Sequence, residues 1–199
     1  MDVRVPVMIQ DPLASQQAGG LGLTEPLTLK HEAHFLDGPV SERVAVLDLD
    51  PETGLLRPGV PFRPPEGGKP GTYRLRLPTP EDLVGSGGDK FRAVNVFATV
   101  LRTVYMFEEP DTLGRRLTWA FDAPQLLLVP HAGEWPNAYY ERRSHSIQFF
   151  YFPAGQPPHP TVYTSLSHDI IAHEAAHAIL DGIAPDLYSA VTPQSLALH

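Results

Sequence analysis

His173-Glu174-Ala175-Ala176-His177 sets two imidazoles four residues apart with a carboxylate next to the first, and no other stretch constrains the chain as strongly. On a helix, residues at i and i+4 stand on one face, so both rings can reach a single metal ion. Glu174 then lies to the side of the pair, where a carboxylate can take a proton from metal-bound water. Ile170, Ile171, Ala172, Ala175, Ala176, Ala178, Ile179 and Leu180 give this helix an apolar frame. Ser167 or Asp169 serves as N-cap candidate and Gly182 stands just past the expected end, so the pattern predicts a helix over about 167–182. A polar trio within an apolar helix is costly to bury without a partner. Zinc is the partner these residue types suit; the plainer reading is a helix whose histidines are ordinary core or surface residues.

The rest of the composition limits what can accompany such a site. The chain has 199 residues, enough for one substantial domain, and 42% of them are hydrophobic. It has no Cys, so thiolate ligands and disulfides are excluded and any metal must be held by His and carboxylate. A net charge of −8 without a Lys/Arg stripe argues against a nucleic-acid partner. Arg115-Arg116 and Arg142-Arg143 read as isolated, solvated pairs. No stretch approaches the apolar length of a membrane span, and the N-terminus lacks a secretory h-region, which leaves a cytoplasmic location as the default expectation.

Along the chain, residues 1 to about 37 look irregular, interrupted by Pro12, Gly19-Gly20 and Pro26. Residues 43–50 alternate apolar and polar and predict a strand, followed by the turn Pro51-Glu52-Thr53-Gly54 and a short return at Leu55-Leu56. After a Pro/Gly-rich connection, 72–77 alternates as a second strand. From residue 89 the period changes. Phe91, Val94, Phe97, Ala98, Leu101, Val104 and Tyr105 fall at helical spacing over 89–108, with Pro110 closing the run. Residues 117–121, 125–129 and 146–152 predict further strands, and the segment Gln156–Pro160 predicts a loop. The expected fold class is α+β, a twisted sheet packed against a backing helix (about 89–109) and the helix that carries the two histidines. The expected division is a β-containing extension over 1–80 and the α+β unit over 81–199. His31-Glu32-Ala33-His34 is a second His/Glu cluster without an apolar frame, and predicts a solvated segment.

With these motifs in place, residues from about 89 onward resemble the thermolysin-like gluzincin metallopeptidases, most specifically in the last third. The resemblance implies a zincin-like N-terminal subdomain, zinc held by His173 and His177, and Glu174 as general base. Asp181, four residues beyond His177, matches a family Asp and can accept the other ring N–H of His177. Tyr188 matches the tyrosine whose hydroxyl stabilises the oxyanion. Asn137-Ala138-Tyr139-Tyr140 is similar to the family's Asn-Ala-aromatic-aromatic segment, which implies that Asn137 and Ala138 bind an extended peptide at a sheet edge. Asp169 sits where some relatives use a carboxylate for calcium. The implied partner is a peptide or protein substrate.

One element of the family pattern is missing. A catalytic zinc takes three protein ligands and keeps one position open. Gluzincins supply the third as a Glu about twenty residues past the second His, but no Glu follows Glu174 and Ala197 holds one expected position. The metzincin pattern fails as well, since Leu180 and Ile183 stand where its glycine and third His would be. Either the sequence ends just before the third ligand, which the helix-like opening Ser195–His199 after Pro193 favours, or His199 substitutes for it. The sequence thus leaves three readings: a zinc peptidase, a non-catalytic relative that binds peptides along the Asn137 strand, and an interaction domain with a structural HExxH helix.

Overall fold

The apolar spacing from Phe91 to Tyr105 becomes a twenty-residue helix, and the fold is arranged around it. A computed structural model of the chain describes residues 2–9, 24–30, 32, 34–155 and 160–189, with side chains for all of these except 86, 188 and 189. It is a mixed α+β structure with several small sheets and, among the described residues, four α-helices. Strands β1 (Asp2–Met8) and β2 (Thr24–Lys30) form an antiparallel ribbon, and β4 (Phe62–Arg63) pairs with β5 (Thr72–Tyr73). The principal sheet joins β3 (Val44–Val46), β6 (Leu126–Val129), β7 (Ala138–Glu141) and β8 (Ser146–Phe149) in the order β3-β6-β8-β7. Its first three members run parallel, and β7 is an antiparallel edge. Strands β9 (Tyr151–Pro153) and β10 (Thr161–Tyr163) make a last antiparallel pair. The helices are α1 (Pro80–Val84), α2 (Asp89–Glu108), α3 (His168–Ile183) and α4 (Pro185–Ser189).

Helix α2 is buried on all sides, Arg92, Asn95 and Thr99 included. A single apolar stripe does not account for that. The β1–β2 ribbon does, because it covers the face of α2 that the principal sheet and α3 leave open. Val3, Val5 and Val7 of β1 share one apolar core with Val44, Phe97, Leu128, Ile147, Ile171 and Ala178. That core spans both sides of residue 80, so the N-terminal region contributes part of the interior of the remainder. The ribbon overturns the expectation of irregular structure before residue 37. Val3, Val5 and Val7 alternate with Asp2, Arg4 and Pro6, a strand period that the sequence does carry. Pro6 and Pro26 face each other across the ribbon.

The polar residues of α2 are satisfied locally. Asn95 accepts the Met8 N–H at 2.8 Å and donates to the Ser165 carbonyl at 2.9 Å, joining β1, α2 and the turn that leads into α3. Arg92 donates from Nε to His131 Nε2 at 2.8 Å, lies 3.7 Å from the centroid of the Tyr163 ring and pairs with Asp89. Arginine can only donate, so His131 Nε2 is the acceptor and its Nδ1 carries the proton toward Asp48 at 2.8 Å.

Other expectations are met in part. The strand predicted over 43–50 is Val44–Val46, and the turn that follows closes as expected. Asp50 Oδ1 accepts from the Glu52 and Thr53 N–H groups, and Gly54 adopts a left-handed φ of 68°. The alternation over 72–77 pairs only at Thr72–Tyr73, where β4 ends, and Leu77 stays exposed. Residues 117–121 form no strand. Leu117 is buried there and the Trp119 indole donates to the Arg43 carbonyl at 3.0 Å, so the segment is anchored by side chains instead of a ladder. The run 146–152 is interrupted at Phe150, which divides β8 from β9.

Candidate metal centre

Helix α3 begins after Ser167, which occupies the N-cap in extended geometry without a side-chain capping bond. Asp169 lies in the first turn with its carboxylate fully exposed, 3.9 Å from His168 Nδ1. The helix continues through Gly182 to Ile183. Gly182 therefore does not stop the helix as expected. A Cβ there would come 2.1 Å from the Thr118 carbonyl oxygen, so the glycine lets that segment lie directly on the helix.

The buried residues of α3 are Ile171, Glu174, Ala175, Ala178, Ile179 and Asp181, spaced as one helical stripe. Glu174 and Asp181 belong to this stripe and the histidines flank it. His173 is exposed and His177 half-buried, which corrects the expectation that the whole trio is enclosed. The cost of burying imidazoles therefore lends no support to a metal. Geometry does. The two rings are nearly perpendicular, at 88°, and their Nε2 atoms stand 3.0 Å apart. Two nitrogens at usual zinc distances and a tetrahedral angle are separated by about 3.3 Å. The pair thus presents converging lone pairs at close to the spacing one zinc ion requires.

Glu174 is held by the edge strand. Its Oε2 accepts the Tyr140 main-chain N–H at 2.9 Å, while Oε1 receives no hydrogen bond from the described residues. Burial raises the carboxyl above its ordinary range, and the Tyr140 N–H and the neighbouring His173 partly offset that rise. A carboxylate that is destabilised as an anion is a better proton acceptor.

Asp181 is fully buried, and its Oδ2 accepts from the Tyr140 hydroxyl at 2.8 Å and from Arg142 Nε at 2.7 Å. Arg142 also pairs with Oδ1 and donates to the Pro185 carbonyl at 2.9 Å. These donors are additional to the His177 ring bond that the sequence leads one to expect. Arg142 is consequently a buttress of the site and not the solvated residue that its place in an Arg pair suggests. The only sequence signal for it is indirect: a buried acid on α3 needs a cation, and nothing local says which one.

Asn137 and Ala138 lie where the strand-edge expectation puts them. The Asn137 carbonyl accepts from Phe150 N–H at 3.3 Å and from the Thr164 hydroxyl at 3.4 Å, so this residue points its main chain into the sheet. Backbone direction alternates along a strand, which turns Ala138 and Tyr140 outward, away from β8. The outward Tyr140 N–H is the one that meets Glu174. Ala138 therefore offers its N–H and C=O along the same open edge, about 7 Å from that contact.

Tyr188 is on the short helix α4, its side chain outside the description, and residues 190–199, including Ala197 and His199, lie outside the described residues. Of the second His/Glu cluster, Glu32 and His34 are described. Glu32 pairs with Arg43 at 3.0 Å, which makes it part of an ion pair and not a purely solvated residue. Among the described residues no third His, Asp or Glu joins His173 and His177, no cluster suited to calcium forms, and no helix is long and apolar enough to cross a membrane. No protein-family model matches the chain, and no curated protein matches it.

Proposed function

We propose that the chain carries the zinc-binding part of a peptide-hydrolysing site of the zincin-like, thermolysin-related kind. The observation that carries this reading is the convergence of His173 and His177 Nε2 at 3.0 Å beside a carboxylate bound to an edge strand. His173 and His177 would hold the ion, and the third protein ligand is to be sought outside the described residues, His199 among them. Bound zinc supplies Lewis acidity, which acidifies water and polarises a carbonyl oxygen. The chain's own residues do the rest. An extended peptide would add to β7 through the Ala138 N–H and C=O, a mode that demands little of side-chain sequence. Tyr140 would keep Glu174 Oε2 fixed by its N–H, leaving Oε1 to receive the water proton and return it to the leaving amine. Tyr188 is the proposed donor to the developing oxyanion, a contribution of roughly 3 kcal/mol in sites of this type.

The open edge at Ala138 favours a second reading, a non-catalytic relative that binds peptides without cleaving them. Zinc titration followed by a peptide-cleavage assay decides between the two. On the enzymatic reading the zinc-loaded protein cleaves an unstructured peptide and the Glu174→Gln variant does not. Zinc binding with peptide bound but intact in both proteins favours the module. A protein that takes up no zinc in either form contradicts both.

A further inference from the structure

We infer that Arg142 is a positioning residue for the Glu174 site, acting through Asp181 and Tyr140 and without contacting substrate or metal itself; the inference rests on the metallopeptidase reading. Asp181 has no solvent exposure, and a buried carboxylate persists as an anion only when strongly paired. The Arg142 guanidinium provides that pairing through Nε and a terminal nitrogen, a planar fork that fixes direction as well as distance. Tyr140 stands two positions before Arg142, so the two side chains leave the strand on the same side, and they meet the same oxygen, Asp181 Oδ2. The segment from 140 to 142 is thereby pinned to α3 at the last turn of the helix.

Glu174 lies seven residues before Asp181, two turns back on the same stripe. Pinning the strand at Asp181 also sets where the Tyr140 N–H falls along the helix, and it falls 2.9 Å from Glu174 Oε2. Tyr140 thus joins both ends of the device, its hydroxyl on Asp181 and its main chain on Glu174. The contact from Arg142 to the Pro185 carbonyl extends the same hold to α4, which carries Tyr188. A lysine cannot reproduce this, because a single ammonium lacks the fork that serves Asp181 and Pro185 together.

The test uses the whole chain and needs no turnover. The Tyr140 amide is followed by nuclear magnetic resonance in wild type, Arg142→Met, Arg142→Lys and Glu174→Ala. In Arg142→Met its exchange with solvent should rise at least tenfold and its proton shift move upfield, while Val96 and Phe97 in α2 keep their protection. Arg142→Lys should lie between, and covers the case in which Arg142→Met fails to fold. Adding Arg142→Met to Glu174→Ala should move the Tyr140 amide no further. An unchanged Tyr140 amide in a folded Arg142 variant overturns the inference, and so does loss of protection spread evenly through the core. Zinc binding measured on the same samples separates the two claims. Absence of zinc in wild type sinks the metal reading alone, whereas zinc bound with no Tyr140 response sinks the positioning role alone.

Discussion

Single residues divide the work of the candidate site by burial. His173 is open to solvent and can receive a ligand, while Glu174 is enclosed and has its basicity raised. Replacing His173 by Ala should lower zinc affinity by at least tenfold, read by calorimetric titration, and Glu174→Gln should leave it within about threefold. Asp181 and Arg142 are asymmetric partners. Removing the cation in Arg142→Met leaves a buried carboxylate uncompensated and should cost about 3 kcal/mol in chemical denaturation, the lower end for such pairs because Arg142 is partly exposed. Removing the acid in Asp181→Ala should cost less, since the freed guanidinium can reach water. At this scale the sequence was informative about chemistry and silent about environment. Two His and a Glu on one helix were readable from spacing alone, but the exposure of His173 and the partners of Asp181 are set by residues more than thirty positions away.

Elements were readable where a period met a matching partner. Helix α2 carried its own signal in apolar spacing and a closing proline, and its bounds coincide with that pattern. The segment 72–77 had the right alternation but meets a partner only over Thr72–Tyr73, and pairing, unlike propensity, is not written in the strand itself. The ribbon of β1 and β2 was hidden by its prolines, which Pro6 and Pro26 accommodate by facing each other at an edge. Helix α3 depends on a close approach that a glycine makes possible. In Gly182→Ala the added Cβ meets the Thr118 carbonyl at 2.1 Å, so the variant should lose stability by about 2 kcal/mol despite alanine's better helix propensity. A melting temperature equal to or above wild type would show that residues 117–119 are not packed on the helix as described.

The molecule as a whole has one continuous apolar core, to which β1 contributes Val3, Val5 and Val7 and α3 contributes Ile171 and Ala178. The expected boundary near residue 80 followed a change in sequence period, but packing does not respect it. A chain beginning at residue 81 would expose the face of α2 that the ribbon covers, and should show no cooperative melt and poor amide dispersion. Cooperative unfolding of that piece would support two independent units. Phe97, at the centre of the core and edge-on to Phe35 and Tyr73 at 5.7 Å each, should cost 3–5 kcal/mol when replaced by Ala, a loss of about the size that unfolds marginal domains. The site itself stands where α3 faces the edge of the principal sheet, which makes the metal centre dependent on both.

The most direct measurement is zinc uptake by the chain, titrated calorimetrically in wild type and in the His173→Ala, His177→Ala double variant. One ion per chain in wild type, with affinity at least tenfold lower in the double variant, is the predicted result. Uptake that is absent in wild type, or unchanged when both histidines are gone, would contradict the claim that these two rings are arranged to hold a metal.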